Sequence, residues 1–273
     1  MVTGPMRTAA GLAEIAVEPA GAGLDATGRL RRRLLIAGAA LPAACAAPVP
    51  GIAPPAVTPA LPAIAVGQRW RYETIDLYRG QPVGELRAEV VRARPGPWLA
   101  AGEQRPPGYA APLVVALTDA SGTAIGEEQW ASAWNILVEP SYDAVQVFDS
   151  AMPLLPDRLE PGQRRVDTTR YEVPGASRGL RWQQHLRAVQ WEHVDVPAGR
   201  FEALRVMRYI NFEHWDIWRL HPWRTDTVWY APAVGRWVQR EWTGRYYWPG
   251  KRPVEANEDR VRWRLLDWQP GRG

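Results

Sequence analysis

The sequence predicts an all-β, antiparallel fold, and three observations carry that prediction. No stretch of 12 or more residues shows the 3.6-residue apolar period of an amphipathic helix. Runs of alternating, β-branched and aromatic residues recur from Gln68 to Trp268. Glycine and proline, 24 and 26 of the 273 residues, fall mostly between those runs, where strands must end.

The first run, Gln68–Tyr78, alternates Trp70, Tyr72, Thr74, Asp76 and Tyr78 on one face with charged and aliphatic residues on the other. Gly80–Gly84 supplies a turn and Glu85–Arg94 returns, so residues 68–94 read as a hairpin. Its mixed faces suit a sheet bent around a partly dry interior. Residues 95–112, with five prolines and three glycines, read as a long loop. Leu113–Thr118 and Thr123–Trp130 flank Asp119–Gly122 as a second hairpin. Asn135–Glu139 and Ala144–Phe148 are short strand candidates, followed by a Pro-rich loop over Met152–Gly162. Arg164–Val173, Leu180–Val196 and Phe201–Phe212 are the strongest β runs, the last two separated by a turn at Pro197–Arg200. Thr227–Tyr230, Arg236–Trp242, Arg245–Trp248 and Arg260–Trp268 complete the series.

Ahead of this domain lies a different kind of sequence. Arg29–Arg33 forms a basic cluster, Leu34–Ala44 an apolar and small-residue run, and Cys45, the only cysteine, follows directly. Eleven residues rise only about 16 Å as a helix, too short for a hydrocarbon core of about 30 Å. Residues 1–44 therefore read as an export signal, with 1–28 an extended or mis-assigned start. A cysteine immediately after the small residues resembles the bacterial lipoprotein signal, in which that thiol receives the lipid. Pro42 holds the place that usually carries an aliphatic residue, and Leu41 comes one earlier. Arg31–Leu35 also resembles a twin-arginine signal. Ala46 rather than aspartate after the cysteine favours, by resemblance to enteric sorting rules, the outer membrane. Residues 45–65 are an anchor cysteine and a Pro/Ala-rich linker, with six prolines between Ala46 and Ala65, a composition that favours a semi-rigid spacer.

Composition narrows the function. Without residues 1–44 the chain carries 28 basic and 26 acidic residues, so it lacks the clustered charge of a nucleic-acid binder. Of 33 basic residues only Lys251 is a lysine, which base composition of the coding sequence accounts for. A lone cysteine excludes a disulfide within the chain. The aromatic set is 15 Trp and 9 Tyr against 3 Phe, with 11 of the Trp between Trp182 and Trp268. Such residues join a large apolar body to a polar tip. Two readings are open: filling of a β core and its rims, or an indole-rich groove for lipid, glycan or peptide.

Three segments carry a resemblance. Val66–Tyr72 (Val-Gly-Gln-Arg-Trp-Arg-Tyr), Val194–Val206 (with Val-Pro-Ala-Gly-Arg-Phe) and Val228–Val238 (with Trp-Tyr-Ala-Pro-Ala-Val-Gly) resemble segments of a group of uncharacterised exported bacterial proteins. Arg200 stands where that group has threonine. The resemblance implies a single curved antiparallel sheet, a half-barrel or open barrel of consecutive hairpins, similar to the half-barrels of periplasmic lipoprotein carriers. It brings no catalytic residues.

Candidate chemistry is sparse. The near-repeats Trp191–Val196 and Phe212–Ile217 place His193 with Asp195, and His214 with Asp216, two apart, where a strand would offer both on one face. These four are weak metal-ligand candidates, because the Pro197–Arg200 hairpin sets His193 opposite Leu204 and His214 opposite Gln183, roughly 33 Å away. Ser121, Ser132, Ser141, Ser150 and Ser177 lack a nucleophile elbow, and no phosphate-binding loop appears. Glu127, Glu128, Glu258 and Asp259 read as solvated loop charge. No catalytic residue and no cofactor is assigned. Interleaved indoles and guanidiniums (Trp215, Trp218, Trp223, Trp229, Trp237 and Trp242 with Arg219, Arg236 and Arg240) form the candidate binding surface, since arginine stacks on indole.

The expectation is a periplasm-facing, membrane-anchored lipoprotein that binds, without catalysis, an apolar or amphipathic ligand or an envelope protein. A structural or assembly lipoprotein is the alternative, and a cryptic hydrolase the third. A side-chain-filled interior would favour the structural alternative; an open Trp-lined cavity would favour the carrier.

Overall fold

A computed structural model describes residues 50–60, 64–96, 98–176 and 178–271. The export signal and Cys45 lie outside the described residues, as do linker residues 46–49 and 61–63. Twelve strands follow one another: β1 Arg69–Asp76, β2 Gln81–Ala93, β3 Leu113–Thr118, β4 Ala124–Ser132, β5 Asn135–Glu139, β6 Gln146–Pro153, β7 Arg164–Glu172, β8 Leu180–Val196, β9 Gly199–Phe212, β10 Leu220–Ala231, β11 Arg236–Trp248 and β12 Val254–Gln269. Every neighbouring pair is antiparallel, and β1 pairs with both β2 and β12. The all-β antiparallel prediction holds, and the sheet closes into a barrel.

Closure removes both sheet edges. The register between β1 and β12 sets Trp70 opposite Trp268 and Thr74 opposite Trp263. Inside, the Trp70 indole donates to the Val234 carbonyl and the Tyr72 hydroxyl donates to that of Trp237, tying the first strand to β11 and the turn before it.

The strand assignments differ from the sequence reading in several places. Strand β2 starts at Gln81, inside the expected Gly80–Gly84 turn, and β6 runs Gln146–Pro153 into the stretch read as loop from Met152. Further differences have a clear cause. Thr227–Tyr230 extends back to Leu220 because Pro222, which cannot donate to a ladder, sits in a bulge between Leu220 and Trp223. Val254–Asp259, polar enough to read as loop, pairs with β11 as the start of β12. Arg236–Trp242 and Arg245–Trp248 are one strand across Gly244. That glycine is no turn: a Cβ there would lie 2.1 Å from Glu258 Oε2, so the missing side chain makes room for a buried carboxylate. The β8–β9 hairpin closes with Val196 opposite Gly199, tighter than anticipated, and a bulge follows Ala188. His193 therefore faces Glu202 rather than Leu204, and Gln183 faces Asn211 rather than His214.

The meander gives the barrel two ends. One carries the start of β1 and the 94–112, 133–134, 154–163, 197–198 and 232–235 connections; the other carries 77–80, 119–123, 140–145, 173–179, 213–219 and 249–253. Within the former linker, the Ile52 N–H donates to the Trp191 carbonyl and Thr58 Oγ1 to Glu160, so this stretch touches the barrel near its entry end.

The outer wall is water-facing in composition. Cross-strand pairs such as Arg71–Asp267, Arg69–Glu89 and Arg262–Glu241 cover it, where a membrane-spanning barrel would present an apolar band. No helix among the described residues is long and apolar enough to cross a membrane.

Gly244→Ala is expected to lower stability by at least about 1–3 kcal/mol, the usual range for overpacking. Urea unfolding followed by tryptophan fluorescence measures it; an unchanged midpoint would mean that Glu258 can move freely.

Candidate functional site

Strand alternation decides which side chains enter the lumen. In β10, Arg224 and Asp226 share a face with Val228 and Tyr230; in β9, Arg208 lies between Val206 and Ile210 on the buried face; in β11, Arg240 and Trp242 face inward. The result is a lumen filled by aromatic rings and by arginines paired with carboxylates, in three tiers.

Nearest the entry end, Arg236 Nη2 donates to both oxygens of Glu128, at 2.7 and 2.9 Å. The Trp130 indole donates to the same carboxylate, and the guanidinium lies 5.1 Å from the Trp70 ring centre and 5.2 Å from that of Trp237. In the middle tier, Arg240 reaches Asp226 at 3.1 and 2.7 Å and also donates to Glu139, while Arg208 donates to Asp226 and to Tyr142 Oη. Tyr142 donates to Asp226 at 2.8 Å. In the third tier, Arg224 Nε and Nη2 grip Glu258 at 2.6 and 3.0 Å, and Nη2 reaches Asp143 at 2.7 Å. Arg219 bonds the same two carboxylates.

The 140–145 connection acts as a plug. It places Ser141 on Arg240, Tyr142 between the middle and third tiers with Arg224 over its ring at 4.5 Å, and Asp143 in the third tier. Charge balances tier by tier, one cation to one anion and then two to two twice. Burial alone would push the Asp226 carboxyl up, but the guanidiniums of Arg240 and Arg208 reverse this and hold it well below the usual carboxylate range. Burial likewise opposes ionisation of Asp143, and the hydrogen bond from His214 and the charge of Arg224 overcome it. Burial drives the Tyr142 hydroxyl far above its ordinary value, so it stays a neutral donor.

Asp143, His214 and Glu258 bring ligand-type atoms within 4.8 Å of one another. Arg219 and Arg224 already take the cationic position beside both carboxylates. His214 Nε2 lies 2.9 Å from Asp143 Oδ2, and its Nδ1 accepts the Asp216 N–H at 2.9 Å. That acceptor role makes Nε2 the protonated nitrogen. Both ring nitrogens are thus engaged, which leaves the imidazole no free lone pair for a base or a metal in this arrangement.

The sequence-proposed surface does not form one face. Trp237, Trp242, Arg236 and Arg240 are buried in the lumen, which corrects their assignment. Alternation turns Arg240 and Trp242 inward, and a bulge at Val238, between the Trp237–Tyr230 and Gln239–Trp229 pairs, changes the parity so that Trp237 enters as well. Trp223 and Trp229 are half-buried on the outer wall, and Trp229 donates to Glu192. Trp215 and Trp218 are exposed on the 213–219 connection, which also carries Arg219. His193 and Asp195 are exposed on β8, far along the hairpin from His214, so the two near-repeats do not converge. Glu128 and Glu258, read as solvated, are instead buried partners of Arg236 and Arg224. Asp226, Glu139, Tyr142 and Arg208 were missed, and Arg224, which belongs to the same interleaved stretch as Arg219 and Arg236, was read as surface. The available signal was parity: Arg224 and Asp226 fall in step with Val228 and Tyr230.

No protein-family model matches the chain, and no curated protein sequence matches it. Two solved structures resemble it. One is a candidate exported protein with a YmcC-like fold from Bacteroides fragilis, with a TM-score of 0.45 and 16% identity over 78% of this chain and 100% of that one. The other is a candidate lipoprotein from Parabacteroides distasonis, with a TM-score of 0.43 and 14% identity over 76% and 100%.

Asp226→Asn leaves two buried guanidiniums against one carboxylate and is expected to cost about 3–5 kcal/mol, read from the urea midpoint; a loss below 1 kcal/mol would show that the tier relaxes. The lowered carboxyls of Asp226 and Asp143 bind fewer protons folded than unfolded. Their contribution is therefore complete at neutral pH and is lost as the pH falls below about 4. A urea midpoint that stays constant from pH 7 to pH 2 would contradict this.

Proposed function

We propose that the chain is an exported lipoprotein, acylated at Cys45 and facing the periplasm, whose barrel is a rigid, non-catalytic binding module that works from its outer surface. The observation that carries the second half of this reading is the filled lumen. Three tiers of ion pairs and packed indoles occupy the interior that a carrier would reserve for an apolar guest, and an acyl chain there would strand buried charges. Binding is thereby left to the wall and the far-end connections, where loops on a rigid scaffold commonly carry recognition.

The first half rests on the leader. The basic, apolar and small-residue order ends at the one cysteine of the chain, and the charged outer wall suits a water-facing domain tethered by its anchor. Ala46 favours the outer membrane. The partner is a lipid headgroup, a glycan or an envelope protein; nucleic acid suits neither the address nor the near-neutral mature charge.

Fractionation after expression with the native leader tests the anchor. Wild type is expected in the membrane pellet with an acyl mass increment on Cys45, and Cys45→Ser in the soluble periplasmic fraction. Equal membrane partition of the two proteins would refute it. Native purification with mass spectrometry tests the lumen: stoichiometric lipid retained inside the barrel would restore the carrier.

A further inference from the structure

Outside the lumen, a groove of about 580 Å³ runs over the ends of β7, β8 and β9 beneath the 213–222 segment. Its floor is set by register. Thr168 lies opposite Gln183 and Gln183 opposite Asn211, so three polar side chains form one transverse row in the floor, and Trp223, opposite Asn211, continues that row beside the groove. Thr168, Gln183 and Asn211 are exposed on the outer face and their side chains make no hydrogen bond within the described residues. Tyr209 extends the aromatic end of the row, its ring 5.7 Å from that of Trp223 and tilted by 34°.

The overhanging wall supplies Ile217 and Leu220, and the groove's lining includes Arg178 and Arg181. Arg181 is 75% exposed; its Nε donates to Glu213 Oε1 at 3.0 Å, and that carboxylate, itself part of the lining, leaves the guanidinium's outer N–H groups facing the groove. His221, also in the wall, holds a left-handed backbone with φ 48°, the kind of local strain that collects at binding sites.

We propose that this groove binds an acidic oligosaccharide. This assignment rests on the reading of the barrel as a module that works from its outer wall. Side-chain amides and a hydroxyl both donate and accept, as sugar hydroxyls do. Guanidiniums suit its carboxylates through paired hydrogen bonds, and the tilted Trp223 and Tyr209 faces beside the groove suit the apolar C–H face of a pyranose unit that extends out of it. A peptide added as a strand needs a free sheet edge, which the closed barrel lacks. A lipid tail would desolvate the Gln183 and Asn211 amides without pairing them.

Affinity electrophoresis of the full chain tests the proposal, with polygalacturonate, neutral dextran and phosphatidylglycerol vesicles as separate probes. Retardation by polygalacturonate and not by dextran is expected. Arg178→Ala and Asn211→Ala should each weaken it about tenfold, the loss of one hydrogen bond to a charged or well-oriented group. Gln183→Glu should abolish it by repelling the uronate. All three side chains are on the outer face, so thermal unfolding should be unchanged, and a variant that melts lower is replaced in the comparison by the other two. Absence of retardation, equal retardation by dextran, wild-type affinity in every folded variant, or binding to vesicles alone would each overturn the proposal. Those results would leave the anchoring and lumen experiments untouched, so failure here is separable from failure of the broader reading.

Discussion

Balance of buried charge governs this barrel. Four buried arginines, Arg208, Arg224, Arg236 and Arg240, meet the buried carboxylates of Glu128, Glu139, Asp226 and Glu258 inside a wall of indole and phenol rings, and Arg219 and Asp143 close the network at its solvent-reached rim. An isolated charge in such surroundings would cost many kcal/mol, and a pair repays that only when its geometry is good. Here one guanidinium commonly serves two anions: Arg240 bridges Asp226 and Glu139, and Arg224 bridges Glu258 and Asp143. A lysine ammonium has no planar fork with which to do so. The network also limits the barrel's alternatives, since a strand slipped by one residue would bring arginines to solvent and leave their carboxylates unpaired.

That constraint explains why some positions admit little change. Gly244 has no side chain because Glu258 needs the space. Tyr142 needs its hydroxyl in the middle tier and its ring beneath Arg224, which couples the 140–145 plug to both tiers. The aromatic rings fill volume and also present electron-rich faces to the cations, as Phe212 and Trp242 do for Arg224. Trp70, Trp237, Trp242 and Trp263 thus have a local cause: they line the ion pairs and exclude water from them.

Strand positions were legible in the sequence because alternation is a local property; Leu113–Thr118, Asn135–Glu139 and Leu180–Val196 coincide with observed strands. Closure was not legible. Pairing of Arg69–Asp76 with Val254–Gln269 joins segments at opposite ends of the domain, and nothing local marks the partner. The contents of the lumen were half legible. Arginine normally faces water, so the Trp and Arg interleaving read as a surface. Parity with Val228 and Tyr230 pointed inward, but a charge is accepted inside only once its counter-ion is known, and Glu139, at the end of β5, and Asp143, in the connection after it, are distant in sequence. His214 was paired in sequence with Asp216, whereas the carboxylates beside its ring, Asp143 and Glu258, lie 71 and 44 residues away, beyond the reach of local spacing.

The lumen and the outer groove are two faces of one construction. The 213–222 segment sends His214 inward to Asp143 and Arg219 to Asp143 and Glu258, while Ile217 and Leu220 on the same stretch form the groove wall. The wall is therefore fixed from beneath by the third tier rather than by its own packing, and its floor is fixed by the sheet register. A ligand meeting such a surface loses little free energy to ordering the protein. The buried ion pairs, which offer no room for a guest themselves, act on recognition through this segment, by holding in place the surface on which recognition occurs.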